Sequence, residues 1–278
     1  MPKLLQQKQV DDYATNGFTF GVPVLSREEL AWYNSEIERF EGEAGQPIDF
    51  PHKSKPHQLF EWADHLVHHP SVLDAVEDVI GPDILCYHAT LWSKPAHSSA
   101  YVRWHQDGTY FFLDPPLHVT AWVALTMADE MAGCMKVLPG SHLNEIMPHN
   151  DDHNEMNMIP RGQGIIETLN TDNAQSMPLQ PGELSLHHTN LIHASFANDR
   201  DTRRIGLGIS YIPTTVRNIG QTPATALLVR GEDKYNYLTA ERRLFDAESE
   251  EQYAYHHELM TIFRNRQDNG TTQSTGAL

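Results

Sequence analysis

Trp104-His105-Gln106-Asp107-Gly108 is the segment with the clearest chemical potential. If it runs as a strand, His105 and Asp107 project from one face and can grip a single cation together. Two ligands do not make a site, so a third must come from elsewhere in the fold. His193, in Leu191-Ile192-His193-Ala194-Ser195, is the candidate, far along the chain on another expected strand. Two imidazoles and one carboxylate form a facial set that holds non-heme Fe(II) and leaves three positions open for a co-substrate and O2. Each residue also has a plainer reading. His–Asp pairs occur on many surfaces, and a lone strand histidine is more often a hydrogen-bonded core residue than a ligand.

Arg204 opens the run Arg204-Ile205-Gly206-Leu207-Gly208-Ile209-Ser210-Tyr211. On a strand its side chain shares a face with Gly206, Gly208 and Ser210, an empty floor beside a guanidinium, while Ile205, Leu207, Ile209 and Tyr211 form an apolar face. Such an arginine suits bidentate capture of a carboxylate. The alternative is a surface arginine beside glycines that only relieve sheet curvature. Arg203 points the opposite way and reads as structural or solvated.

These residues need a scaffold of strands. From Ile84 the chain breaks into short β-like runs between Pro and Gly: Ile84–Trp92, Tyr101–His105, His118–Thr126, Cys134–Leu138, Glu183–His187, Ile192–Phe196 and Arg204–Ile212. Short strands punctuated by turns indicate a sandwich or barrel. Residues 1–82 read as helical. Ser26-Arg27-Glu28-Glu29 fits a capping box ahead of Leu30, Tyr33, Ile37 and Phe40, and a second helix begins near Pro70 and stops at Gly81-Pro82. The polar stretch 143–173 is too long for a hairpin loop and reads as an active-site cover. One domain is expected: helical 1–82, a β core over 83–216, a packing segment over 217–264 with a helix near Glu248–Phe263, and a disordered tail at 265–278.

Composition narrows the function classes. Lys+Arg 20 against Asp+Glu 37 gives a net charge of −17, which repels nucleic acid and anionic membrane surfaces. The longest apolar stretches are too short to span a bilayer, and the polar start lacks a signal-peptide pattern, so a soluble cytoplasmic protein with a small-molecule substrate is expected. The two cysteines, Cys86 and Cys134, are too few for a disulfide framework.

Trp104-His105-Gln106-Asp107, then Val119–Leu125, then Gly133–His142, then His193-Ala194-Ser195 with Arg204, taken in order, resemble the phytanoyl-CoA dioxygenase family. The resemblance runs from about Gly81 to about Ile212. It implies a double-stranded β-helix, a mainly β jelly-roll relative with flanking N-terminal helices. It also implies an Fe(II)/2-oxoglutarate dioxygenase that uses O2 to hydroxylate a C–H bond and releases succinate and CO2, with ascorbate as a reductant. By match, His105, Asp107 and His193 would ligate the iron and Arg204 would bind the distal carboxylate of 2-oxoglutarate. Trp122, Thr90 and Ser195 fall at positions where the family contacts that cosubstrate. Lys55 and His57 both fit a further basic contact, which stays unassigned. Halogenases of the family carry Ala or Gly at the carboxylate position; Asp107 therefore favours hydroxylation.

Asn157, Arg161, Tyr110 and Phe111 are candidate substrate contacts. The substrate is expected to be a free small metabolite, neutral or cationic, such as a guanidinium alkaloid or an aminophosphonate, because Arg161 is the one basic residue, histidines apart, in 143–173 to receive an anionic CoA ester. The alternatives are an acyl-CoA hydroxylase and a cupin-like metal-binding protein without oxygenase activity.

Overall fold

The structure, a computed structural model, describes residues 2–151, 154, 156–159 and 163–274. In chain order it comprises α1 (Gln7–Asn16), β1 (Phe18–Pro23), α2 (Arg27–Ala44), α3 (Glu61–Val67), α4 (Pro70–Ile80), β2 (Ile84–Lys94), β3 (Val102–His105), α5 (Gly108–Phe111), β4 (Val119–Ala124) and β5 (Met135–Val137). There follow β6 (Gln175–Met177), β7 (Glu183–His188), β8 (His193–Ser195), β9 (Arg204–Pro213), β10 (Thr225–Arg230), β11 (Thr239–Ala240) and α6 (Glu250–Ser274).

Two sheets face each other. The larger has the order β1-β7-β4-β9-β2-β10-β11, and the smaller has the order β3-β8-β5-β6. Neighbours near the centre of each are antiparallel. This is the expected double-stranded β-helix. The outer face of the larger sheet carries Ala89, Leu91, Ala121, Val123, Leu184, Leu186, Leu207 and Ile209, packed against Tyr33 and Ile37 of α2, Trp62 and Leu66 of α3, and Val72 and Val76 of α4. Each fully buried Leu or Ile there contributes roughly 2 kcal/mol. That leaves the inner face free to line a cavity.

Local chemistry explains the helix ends. Ser26 Oγ accepts from Glu29 N at 3.1 Å while Glu29 Oε2 accepts from Ser26 N at 2.8 Å, the reciprocal capping expected for α2. Pro70 sits in the first turn of α4, where its missing N–H costs nothing.

Three segments add to the sequence reading. The first 82 residues are not only helical: Phe18–Pro23 joins the larger sheet as an edge strand on β7, because Gly17, at φ 85°, ends α1 and turns the chain into it. In the described part of 143–173, Met147, Ile165 and Leu169 pack with Leu138, Ile192 and Trp104 behind the smaller sheet, and Tyr101 N donates to Met156 O at 2.9 Å, while His149 Nε2 accepts from Gln106 N at 3.1 Å beside Asp107. The C-terminal helix runs to Ser274, past the expected start of a disordered tail at Asn265, since no proline stops it.

Candidate active site

His105 ends β3 and His193 begins β8, and the two are direct partners in antiparallel register. Asp107 lies two residues beyond β3, at the start of the short α5. One ligand atom from each of the three lies within 4.8 Å of the others. His105 Nδ1 is 2.8 Å from Arg103 O, and His193 Nδ1 is 2.9 Å from Leu191 O. A carbonyl only accepts, so each Nδ1 carries the proton and each Nε2 presents its lone pair. Those Nε2 atoms stand 3.3 Å and 3.7 Å from Asp107 Oδ1. Three acceptor atoms converge with no proton between them, an arrangement that a divalent cation satisfies; the residues therefore fit Fe(II).

Electrostatics agree. Burial, with His105 adding to it, keeps His193 neutral, the form that ligates metals. Thr120 Oγ1 donates to the second oxygen, Asp107 Oδ2, at 2.9 Å. His118 Nε2, 3.2 Å from the same hydroxyl, is then its donor, and this chain of bonds fixes the carboxylate's orientation.

Arg204 lies across the cavity floor from this centre. Its guanidinium is buried, at 5 % exposure, and lies 5.0 Å from the Trp122 ring. One nitrogen donates to Gly133 O, while Nε has no partner. No carboxylate pairs with it among the described residues. Burial lowers its pKa to about 10. A desolvated cation without a counter-ion is costly, so the geometry favours an incoming anion. Lys94 is its register partner on β2; its Nζ is 2.9 Å from Ser195 Oγ and also reaches Phe196 O. Burial, together with Arg204, brings the Lys94 ammonium down to about 7. Arg203, on the other face, is held by Glu41 at 2.6 and 2.9 Å and is structural.

The glycine floor beside Arg204 is not empty. A Cβ on Gly206 would lie 2.1 Å from the Trp122 ring, and one on Gly208 would lie 3.1 Å from Trp92 Nε1. The glycines make room for two indoles that wall the cavity, so the strand reading had the face right and its occupant wrong.

A cavity of about 130 Å³ brings most of the expected residues together. His105, Asp107, His193, Arg204, Trp122, Thr90, Ser195 and Phe111 all line it. Asn157 does not line it: its backbone bridges to Tyr101 and its Oδ1 accepts from Ile159 N. Arg161 and the side chain of Tyr110 lie outside the described residues. Neither Lys55 nor His57 lines the cavity. Lys55 Nζ is committed to Glu241 and, at 2.9 Å, to Tyr87 O, away from Arg204.

Thr120, Ser185, His187, Ser210, His88 and Trp92 also line the cavity and were not assigned a role from sequence. The signal was present. Glu183-Leu184-Ser185-Leu186-His187 alternates, with both leucines in the core and Ser185 and His187 turned inward.

The fold and the cavity define a non-heme iron oxygenase, and the comparisons with known proteins agree. Residues 13–206 match the family described as phytanoyl-CoA dioxygenase (PhyH), and the chain belongs to that family. The solved structure of the non-heme monooxygenase ThoJ in its apo form is 31% identical with a TM-score of 0.82, covering 95% of this chain and 99% of that one. The probable alpha-ketoglutarate-dependent hypophosphite dioxygenase of Stutzerimonas stutzeri is 27% identical over 222 residues, 73% of this chain and 77% of that protein. Bovine peroxisomal phytanoyl-CoA dioxygenase is 32% identical over 136 residues, 46% of this chain, which spans only 40% of that relative's length. No described helix is long and apolar enough to cross a membrane.

Proposed function

We propose that this protein hydroxylates an unactivated C–H bond of a free small metabolite, consuming O2 and 2-oxoglutarate and releasing succinate and CO2. His105, Asp107 and His193 hold Fe(II) in this reading, and Arg204 receives the distal carboxylate of 2-oxoglutarate. Fe(II), when bound, supplies O2 activation coupled to oxidative decarboxylation of the keto acid. Of the two oxygen atoms in O2, one ends in succinate and the other in the product hydroxyl.

The chain's own work is binding and orientation. Thr120 and His118 keep one carboxylate oxygen of Asp107 occupied, so that the other faces the histidines. Ser195, backed by Lys94, and Thr90 offer hydroxyls at the Arg204 end, and Trp92, Trp122, Met177 and Leu179 exclude water from the cavity. Asp107 fills the third facial position, which favours hydroxylation over halogenation.

The buried Arg204, without a carboxylate partner and facing the same cavity as the His–Asp–His set, carries this reading. A cupin-like binding protein would have no use for it. Succinate formation from 2-oxoglutarate under air, with added Fe(II) and ascorbate, tests the proposal, and a panel of small metabolites and acyl-CoA esters should raise the rate selectively. Absence of 2-oxoglutarate-dependent succinate would reject it.

A further inference from the structure

The inner face of the larger sheet carries a polar row that cofactor binding does not use in full. Register sets His88 of β2 opposite Ser210 of β9, Ser210 opposite Thr120 of β4, and Thr120 opposite His187 of β7. All four line the cavity at one level across four adjacent strands. Along β9, Ser210 lies six residues from Arg204, roughly 20 Å of strand, beyond the reach of the carboxylate-binding end. Thr120 bonds Asp107, and His187 Nε2 lies 3.5 Å from Asp107 Oδ2, so the row runs level with the metal ligands on the side away from Arg204. That leaves this end of the cavity for a substrate.

This row is unusual for a buried face. The alternating neighbours Ala89, Ile209, Ala121 and Leu186 all enter the apolar core, as packing alone would favour on both faces. On the inner face, His88 Nδ1, both ring nitrogens of His187 and, one row on, Ser185 Oγ are buried without a hydrogen-bond partner. Unsatisfied groups of this kind are uncommon in a native interior and mark a place where something else supplies the partner. His187 is not among the residues grouped as possible metal ligands. The His88 ring is fixed by stacking on Phe263 of α6, with centroids 4.1 Å apart.

The charge around the row is as informative as its polarity. Asp107 is committed to the metal set, and the described lining residues place no other carboxylate and no Lys or Arg at this level. Burial keeps the His88 imidazole uncharged. A guanidinium or quaternary ammonium group would find no counter-charge there, and a long acyl chain would leave the imidazoles and hydroxyls unsatisfied.

We infer that His88, Ser210, Thr120 and His187, with Ser185 beside them, form the substrate-recognition surface, and that it selects a compact uncharged molecule presenting hydroxyl or carboxamide groups. This rests on the oxygenase reading above. It narrows the substrate class within that reading and excludes the cationic and acyl-CoA alternatives.

The test has two stages. Anaerobic addition of 2-oxoglutarate to the Fe(II)-loaded wild-type protein should produce the metal-to-keto-acid absorption band; no band would overturn the oxygenase reading itself. Succinate formation is then measured across three sets of compounds: neutral polyols and carboxamides, guanidinium compounds, and acyl-CoA thioesters. The inference predicts stimulation by members of the first set. With the best of these, His88→Leu and His187→Phe should each raise KM at least about tenfold with a smaller change in kcat, whereas His88→Gln and His187→Gln, which keep a donor and an acceptor, should stay within about threefold. If the band forms but only guanidinium compounds or acyl-CoA esters stimulate, or if no compound of the first set does, the inference fails and the oxygenase reading stands. An unchanged KM in the Leu and Phe variants, or an equal rise in the Gln variants, would likewise overturn it.

Discussion

Two buried cations of this protein have opposite surroundings. Lys55 is enclosed by its partners: its ammonium meets Glu241 and Tyr87 O, and Gln58 Nε2 donates to the other Glu241 oxygen at 3.1 Å. Arg204 is equally buried but has a single backbone carbonyl, an indole face and no carboxylate among the described residues. The first cation ties the segment before α3 to the chain before α6; the second faces a cavity. Burial alone therefore does not separate structural charge from functional charge. The missing counter-ion does, because a fold that could satisfy a buried charge internally gains by doing so.

The largest effect is expected at the metal set. Asp107→Ala should abolish 2-oxoglutarate-dependent succinate formation and strongly weaken Fe(II) retention, measured by metal analysis after desalting, because two imidazoles alone hold the ion weakly. Full activity in that variant would remove the functional half of the comparison.

The structural half breaks differently. Glu241→Gln leaves Lys55 buried without its charge partner and should cost about 3–5 kcal/mol of folding stability in denaturant melts. Burial alone would raise the Glu241 carboxyl, but Lys55 and His57 hold it at about 2, as expected of a committed pair. A loss under 1 kcal/mol would mean that the pair is not what ties these segments together.

Thr120→Val should have an intermediate effect. It removes the hydrogen bond to Asp107 Oδ2 while conserving shape, and metal affinity should fall by about 10–100-fold with the melting temperature little changed. An unaltered affinity would show that the carboxylate needs no support.

The smallest and most distributed effect is on pH. Burial lowers His118 to about 3 and both His188 and His256 to about 4. In the unfolded chain these groups take up protons near pH 6.5, while in the folded protein they resist until the pH is far lower. Stability is therefore complete above about pH 6.5 and declines as the pH falls towards 4, by roughly 1 kcal/mol per pH unit for each histidine. A flat stability profile over that window in the metal-free protein would contradict their burial as neutral groups.

Much of the site was legible because strand periodicity is a strict geometric code. The alternation of Arg204 with Ile205, Leu207 and Ile209 separates cavity from core without any knowledge of topology, whereas Asp107 lies past the end of β3 and comes beside His105 through the turn into α5, not through strand alternation. The strand Phe18–Pro23 was missed because a short run between two helices has no periodicity strong enough to announce its pairing with β7. For a related reason the packing of 143–173 was not legible: polarity and length say that a segment is not core, but not which side of a sheet it packs on. The Lys55–Glu241 pair links residues far apart in the chain, and no local pattern signals it. The polar row at His88 and His187 was readable strand by strand, but it becomes a surface only through cross-strand register, which the sequence does not state.

The contrast between the two cations is tested most directly by anaerobic titration of 2-oxoglutarate into the Fe(II)-loaded protein, followed by the metal-to-keto-acid absorption band. Three proteins are needed: wild type, Arg204→Met, and the double variant Lys55→Met/Glu241→Gln, in which both partners of the structural pair are neutralised together. Loss of a charge-assisted bidentate contact worth about 1.5–3 kcal/mol should weaken 2-oxoglutarate binding at least tenfold in Arg204→Met, with the iron content kept. The double variant should bind 2-oxoglutarate as the wild type does. Equal affinity in Arg204→Met and wild type, or a comparable loss in the double variant, would contradict the claim that the unpaired buried cation marks the cosubstrate site.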